Sequence, residues 1–365
     1  MASPERYVGI MSGTSLDGID AALVEISVDS IKLLGTHYQA YPAPLKTRLL
    51  ALHHAAHDEL HLAALIANEL TRSYAQATTC LLQTLDVQPG QVHAIGCHGQ
   101  TLRHRPEQGY TVQLGNAALL AELSGITVIS DFRSRDIAAG GQGAPLVPAF
   151  HNHMLRHPTT HRVIVNIGGI CNLTDLKPDC ALTGFDCGPG NLLMDAWIAQ
   201  HRDEHYDKDG AWAASGKIIP ALLQALIDEP FLSAAPPKSS GRDLFNMAWL
   251  NRHLHGEETP ADVQATLLAL TGHAIIDSIQ RFCTGTQEVY LCGGGTHNLA
   301  LVEYLRAAMP ECHIRATDVL GVQADWMEAI AFAWLARQAL HGIPTDLRTV
   351  TGARHPCILG AIYPA

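Results

Sequence analysis

The 365-residue sequence contains no run of about 18 apolar residues, so nothing in it reads as a membrane-spanning helix. It has no cluster of lysines and arginines either. With 24 Lys and Arg against 35 Asp and Glu, the net charge of −11 opposes a nucleic-acid surface, which needs grouped cations to neutralise phosphates. None of the nine cysteines forms a CxxC pair, which argues against a structural zinc site; their odd number and scatter fit reduced thiols in a cytosolic protein. The opening MASPERYVGI lacks a basic segment followed by a long apolar stretch. No signal peptide is therefore evident, and the cytoplasm is the expected location. Low-complexity tracts and short-period repeats are also missing. What remains is an ordinary folded composition, 47% hydrophobic and 16% charged, in a chain longer than one core usually serves, so two domains are expected.

The stretch GIMSGTSLDGID, Gly9 to Asp20, carries the glycine spacing of half a Walker A loop. Such a loop needs lysine and a hydroxyl residue after its last glycine, whereas Ile19 and Asp20 follow Gly18. The flanks RYVGIMSG and IDAALVEIS read as strands, which makes the stretch a hairpin turn. VHAIGCHGQT and ITVISDF read as further strands. A domain boundary is expected near the Gly- and Pro-rich AAGGQGAPLVPAFHN. The pattern then restarts: HRVIVNIGGICNLTDL is again strand, glycine turn, strand, and EVYLCGGG is a strand ending in glycines ahead of a helix, NLALVEYLRAAM. Long helices are expected over HLAALIANELTRSYAQATTCLLQTL, PADVQATLLALTGHAIIDSIQRF and ADWMEAIAFAWLARQAL. Shorter ones fit GNAALLAELSG, stopped by Gly125, and GNLLMDAWIAQHR, capped by Asn191. One glycine turn at a strand end is ordinary. Three of them point to a nucleotide cleft between two domains, because glycine lets a backbone approach an anion and a helix start adds partial positive charge.

This arrangement resembles the sugar kinase, Hsp70 and actin superfamily. MSGTSLDGID, HGQT, DFRSRDIAAGGQGAPLVP, NIGGICNLT, GFDCGPGN and CGGGTHN, in this order across nearly the whole chain, resemble more closely the 1,6-anhydro-N-acetylmuramic acid kinase family of bacterial cell-wall recycling. The resemblance implies an α/β protein of two lobes, each a mixed sheet flanked by helices, with the nucleotide in the cleft between them. Residues 1–130 with about 348–365 would form the first lobe and 131–347 the second. It implies ATP with Mg2+, an amino sugar as substrate, and a homodimer. It assigns Gly13, Thr14, Ser15, Leu16, Asp17 and Gly18 to a first phosphate hairpin, Gly168 and Gly169 to a second, and Gly293, Gly294 and Gly295 to the adenosine. Asp17 would sit near the β- and γ-phosphates; an Asx-turn role is equally open to it.

The family opens a 1,6-anhydro bridge with water and phosphorylates the freed 6-oxygen. That chemistry needs a base for the attacking water, and a carboxylate within hydrogen-bond reach can serve. GFDCGPGN matches the family's base motif, which puts the base at Asp186 on a tight loop of Gly184, Gly188, Pro189 and Gly190; the bland alternative is a turn aspartate capping a helix. Arg135 would offset charge on the transferring phosphoryl, against a weak surface pair with Asp131 or Asp136. Glu328, in an otherwise apolar helix, would face the sugar. His98, Gln100 and Asn191 are substrate candidates, and a buried structural histidine is the competing reading of His98. KSSGRDLFN, Lys238 to Asn246, sets a cation and hydroxyls beside a glycine, as a phosphate contact could, but reads first as a solvated loop. Asp207-x-Asp209-Gly210 lacks the glutamate of a calcium loop, no metal set is evident, and Cys187 has no histidine partner placed by sequence. Two other readings compete: a superfamily kinase acting on an intact hexose, and a nucleotide-gated protein of the Hsp70 or actin kind.

Overall fold

The computed structural model describes residues 3–13, 16–27, 30–53 and 57–365. The chain forms two compact units, one of Met1–Phe150 with Trp326–Ala365 and one of His151–Asp325. The first begins with β1 (Glu5–Met11), β2 (Gly18–Ile26) and β3 (Ile31–Ala40), an antiparallel meander. After the long helix Glu59–Thr84 come β4 (Ala94–Cys97), the hairpin of β5 (Gln100–Arg105) and β6 (Tyr110–Leu114), the helix Ala117–Ser124 and β7 (Val128–Ser130). The second unit opens with another antiparallel meander, β8 (Arg162–Ile167), β9 (Ile170–Leu176) and β10 (Thr183–Pro189). It continues through the helices Leu192–Arg202 and Pro260–Phe282 to β11 (Glu288–Cys292), the helix Leu299–Ala308 and β12 (His313–Ala316). The chain then returns to the first unit with the helix Met327–Leu340 and β13 (Ala361–Tyr363).

The sheets repeat one plan. In the first, the order is β13-β7-β4-β1-β2-β3, with β1, β4 and β7 parallel. In the second it is β10-β9-β8-β11-β12, with β8, β11 and β12 parallel. Each is thus a mixed sheet with helices, the α/β class the sequence indicates. In each the first β-hairpin of the meander is turned by one of the glycine stretches. Separate apolar cores fill the units: Ile10, Leu23, Leu70 and Ile95 belong to the first, Val165, Leu173, Phe185 and Leu270 to the second. Among the described residues, no helix is long and apolar enough to cross a membrane.

The unit borders differ from those drawn on the sequence. Residues 131–150 and 326–347 belong to the first unit rather than the second. Two contacts explain this. The buried Asp136 accepts from Thr351 Oγ1 at 2.8 Å and from the Gly143 N–H at 2.7 Å, tying 136–143 to the C-terminal segment. The helix Met327–Leu340, with ten of its 14 residues buried, packs on β1 and β4. A helix apolar on nearly every side belongs inside a unit. It reaches the sheet at Gly9 and Gly96, where a Cβ would collide with the carbonyl oxygens of Ala329 and Phe332.

Candidate active site

In the first unit the β1–β2 turn is braced from below. Gly13 O accepts from the Leu16 N–H at 3.2 Å and from Gln100 Nε2 at 3.1 Å, and Gln100 Oε1 accepts from Tyr41 OH at 3.2 Å. Gln100 is fully buried, so its amide serves the turn and presents no surface to a sugar. Leu16 holds a left-handed backbone, φ 59°, with its side chain buried in the core, an uncommon conformation that needs such anchoring. Asp17 O accepts from Tyr38 OH and from the Tyr41 N–H, while its exposed carboxylate meets Lys46 Nζ at 3.3 Å. Gly18 opens β2 opposite Ala40. Thr14 and Ser15, assigned to the same turn, lie outside the described residues.

His98 follows β4 and is buried against Phe332, ring centroids 4.7 Å apart. Arg133 Nε donates to His98 Nε2 at 3.0 Å, and Arg133 Nη1 donates to Gly143 O at 2.7 Å. Burial, then the Arg133 charge, holds the His98 pKa well below its ordinary value, so the ring is a neutral acceptor that aims the arginine. Arg135 stands two residues on, in the short helix Ser134–Ala138, with its side chain exposed. It borders an open hollow with His355, Pro356, Cys357 and Gly360 of the C-terminal segment. Asp136 is occupied by Thr351 and Gly143, and Asp131 Oδ1 accepts from Ser134 Oγ at 2.5 Å. Glu328 sits in the first turn of Met327–Leu340, half-buried, next to Ala329, whose carbonyl lies against Gly9.

In the second unit the Gly168-Gly169 turn receives the start of the helix Leu192–Arg202. Gly168 O accepts from the Asn191 N–H at 2.8 Å, and Gly169 O accepts from the Gly190 and Leu192 N–H groups at 2.9 and 3.2 Å. Asn191 is not the side-chain cap the sequence indicates: its Nδ2 donates to Ile167 O at 3.3 Å, locking helix to turn. Gly293, with φ 81°, leaves β11 against Asn166, and Gly295 lies against Ile167, where a side chain would collide. Gly294 faces open space, and a Cβ on Gly168 would meet only Ile170 O at 3.5 Å. Both turns therefore leave room for close backbone approach by an anionic group, as phosphates require.

Asp186 lies on β10 and not on a loop. It pairs with Asn172 of β9, and the register shifts between Asp186 and Gly188. A bulge of this kind re-aims a side chain. Pro189 is tolerated in β10 because it ends an edge strand, where the missing N–H is least harmful. For Asp186 the bulge leaves specific partners. Its Oδ2 accepts from the Ser240 N–H at 2.8 Å, and its own N–H donates to Lys238 O at 3.1 Å. Asn172 in turn pairs with Asn166 of β8, so three polar side chains share one face of the sheet. The asparagines Asn166 and Asn172, set among apolar neighbours near the turn ends of β8 and β9, were the unread signal for that row. Lys238, read from sequence as part of a solvated loop, is buried. Cys187 is buried too, its Sγ donating to Cys171 O at 3.3 Å.

Asp207, in the stretch that mimics a calcium loop, accepts instead from the Trp212 and Ala213 N–H groups at 2.9 and 2.8 Å. Among the described residues, no three His, Cys, Asp or Glu side chains gather as a metal cage.

The chain compares closely with one group of proteins. The profile of the family described as "Anhydro-N-acetylmuramic acid kinase" matches residues 5–365. The anhydro-N-acetylmuramic acid kinase of Thiobacillus denitrificans is 56% identical over 365 residues, 99% of this chain and 98% of that one. The proteins of that name from Nitrosomonas europaea and Pseudomonas syringae pv. syringae are 55% and 52% identical, each covering 98% of this chain and 99% of their own. Among solved structures, a ROK family glucokinase from Streptomyces griseus in complex with glucose and AMPPNP aligns over 91% of this chain and 99% of its own, at 13% identity and TM-score 0.42. With a match that runs through every motif from the β1–β2 turn to the C-terminal strand, the chain belongs to the anhydro-N-acetylmuramic acid kinase family.

Proposed function

We propose that this chain uses ATP and water to convert 1,6-anhydro-N-acetylmuramic acid into N-acetylmuramate 6-phosphate and ADP, with Asp186 as the base. The kinase class, phosphoryl transfer to an alcohol oxygen, follows from family membership. The observation that supports the role of Asp186 is its fixation: a carboxylate on a bulged edge strand with one oxygen held by a main-chain N–H. A base must be placed before its basicity matters.

In this reaction Asp186 takes a proton from water as the water oxygen bonds to the anomeric carbon. The bond from that carbon to O6 breaks, O6 bonds to the γ-phosphorus, and the bond from phosphorus to the ADP oxygen breaks. We assign Arg135 to the charge that develops on the phosphoryl group, Glu328 to the sugar, and Gly13–Gly18 and Gly168–Gly169 to phosphate oxygens, with Gly293–Gly295 at the adenosine. His98, Gln100 and Asn191 act one step back, through Arg133, the Gly13 turn and the Gly168 turn. Mg2+ bound with the nucleotide would supply charge neutralisation, and Asp17 would help to position it through water. A homodimer working in the cytoplasm completes the proposal.

Turnover in ¹⁸O-labelled water tests it. Label at the anomeric hydroxyl of the phosphorylated product is expected. Unlabelled product from an intact hexose would instead make this a simple hexose kinase, and ADP release that ignores the anhydro sugar would make it a nucleotide-gated protein.

A further inference from the structure

Lys238 is only 8% exposed, and its head group is inside with it. Its ammonium donates to the carbonyls of Phe231 and Leu232 at 3.1 and 3.0 Å, in the short helix Pro230–Ser233. It also lies over the Phe231 ring, 4.9 Å from the centroid, with the Phe185 and Phe282 rings at 6.0 and 5.9 Å. A lysine in a solvated loop keeps its charge in water. Here the charge is taken out of water, which is unfavourable unless the pairing accomplishes something.

The clasp fixes the backbone that follows. Lys238 O accepts the Asp186 N–H, and two residues on the Ser240 N–H donates to Asp186 Oδ2. Asp186 is therefore gripped at its backbone and its side chain by one three-residue stretch, and that stretch is fastened at its other side by the lysine. Phe185, the neighbour of Asp186, faces the same ammonium. Ser240 Oγ is buried with no hydrogen-bond partner among the described residues, so it is the N–H of Ser240 that this stretch puts to use.

We infer that Lys238 is a positioning residue for the proposed base: its clasp on the Phe231 and Leu232 carbonyls sets the 238–240 backbone so that the Ser240 N–H aims the Asp186 carboxylate. This rests on the assignment of Asp186 as base. The role separates from a structural one by what the kinetics lose. Lys238→Met keeps the side-chain length and suits three phenyl rings; it removes a buried charge but leaves the Phe231 and Leu232 carbonyls without this donor, so the fold should hold with at most a modest fall in Tm. Aim would be lost, and small displacements of a catalytic group carry large rate penalties.

The test compares Lys238→Met, Ser240→Pro, the double variant and Asp186→Asn with the unmodified full-length enzyme. We measure kcat, KM for ATP and for the anhydro sugar, and Tm. Lys238→Met should lose about tenfold or more in kcat, keep both KM values within about twofold, and stay fully folded at the assay temperature. Ser240→Pro, which deletes the N–H without touching the lysine, should lose kcat the same way, and the double variant should lose no more than either, since both act through one bond. An unchanged kcat in Lys238→Met, a loss that only tracks a fall in Tm, or losses that multiply in the double variant would each overturn the inference. If Lys238→Met does not fold, Lys238→Arg, which keeps the cation but not the ammonium's fit between the two carbonyls and the rings, takes its place under the same kcat and KM criterion. Asp186→Asn separates the two levels: if it turns over normally, the base assignment falls and this inference with it, whereas an inactive Asp186→Asn beside a normal Lys238→Met sinks only the inference.

Discussion

Gly9 of β1 and Gly96 of β4 are directly paired, and each receives a main-chain carbonyl of the helix Met327–Leu340: Ala329 O at Gly9 and Phe332 O at Gly96. The helix that carries Glu328 is thus seated on backbone, with no side chain between. Because a carbonyl within a helix cannot rotate aside, even one added methyl overpacks the contact. Gly96→Ala should lose about 1–3 kcal/mol of stability. Thermal or urea unfolding measures it, and a variant as stable as the parent would show that the helix can lift without penalty.

Gln100 offers a second test, of the turn beneath Gly13. Gln100→Leu fills similar volume but leaves Tyr41 OH without its acceptor and removes one of two donors to Gly13 O. Such buried losses cost about 1–3 kcal/mol each. The variant should melt lower and bind ATP more weakly, with a smaller change in the affinity for the sugar. A higher KM for sugar with normal ATP binding would instead return Gln100 to the substrate-contacting role first read from HGQT.

Arg135 is exposed and lines a hollow with the C-terminal segment, whereas Arg133 is tied to His98 and Gly143. If Arg135 meets charge that appears only during transfer, Arg135→Ala lowers kcat more than it lowers ATP affinity. A change confined to ATP affinity contradicts the assignment.

Buried imidazoles set the acid side of the stability profile. Burial pushes the His151 pKa down to about 3 and that of His104 down to about 4, and His98 is held well below its usual value by burial and Arg133. Below about pH 6.5 the unfolded chain takes up protons at these positions and the native chain does not. Stability from them is complete above that pH and drains away as the pH falls toward the folded values, at up to about 1.4 kcal/mol per pH unit for each group. Urea midpoints at pH 7 and pH 5 should differ accordingly, and His151→Gln should narrow the gap. Equal midpoints would refute the account.

Much of the fold was legible because its signals are local. IDAALVEIS and HRVIVNIGG alternate or run apolar as strands do, and the helices Glu59–Thr84 and Pro260–Phe282 carry long helical periodicity. What escaped depends on distant partners. β3 holds Gly35 mid-strand, and β5 and β6 are largely polar, so neither looks like a strand without the neighbour that pairs with it. β10 reads as a loop because Gly184, Gly188 and Pro189 are loop formers, and only its edge position and bulge reconcile them with a strand. At the site, Asp186 and the glycine turns were visible as motifs. Lys238 was not, since nothing local tells a lysine after two prolines that three phenylalanines await it. The Asp136–Thr351 bond joins residues 215 apart, and no local pattern foretells where the first unit resumes.

The seating of Met327–Leu340 on Gly9 and Gly96 also orders events during synthesis. The strands it covers leave the ribosome more than 200 residues before the helix does, so the first unit's sheet must wait with a face uncovered. The uninterrupted stretch His151–Asp325, by contrast, has everything its core needs once its own last strand emerges. The part of the chain made first is therefore the part completed last, and a nascent chain stalled before residue 326 should present a finished second unit and a protease-sensitive segment over its first 150 residues.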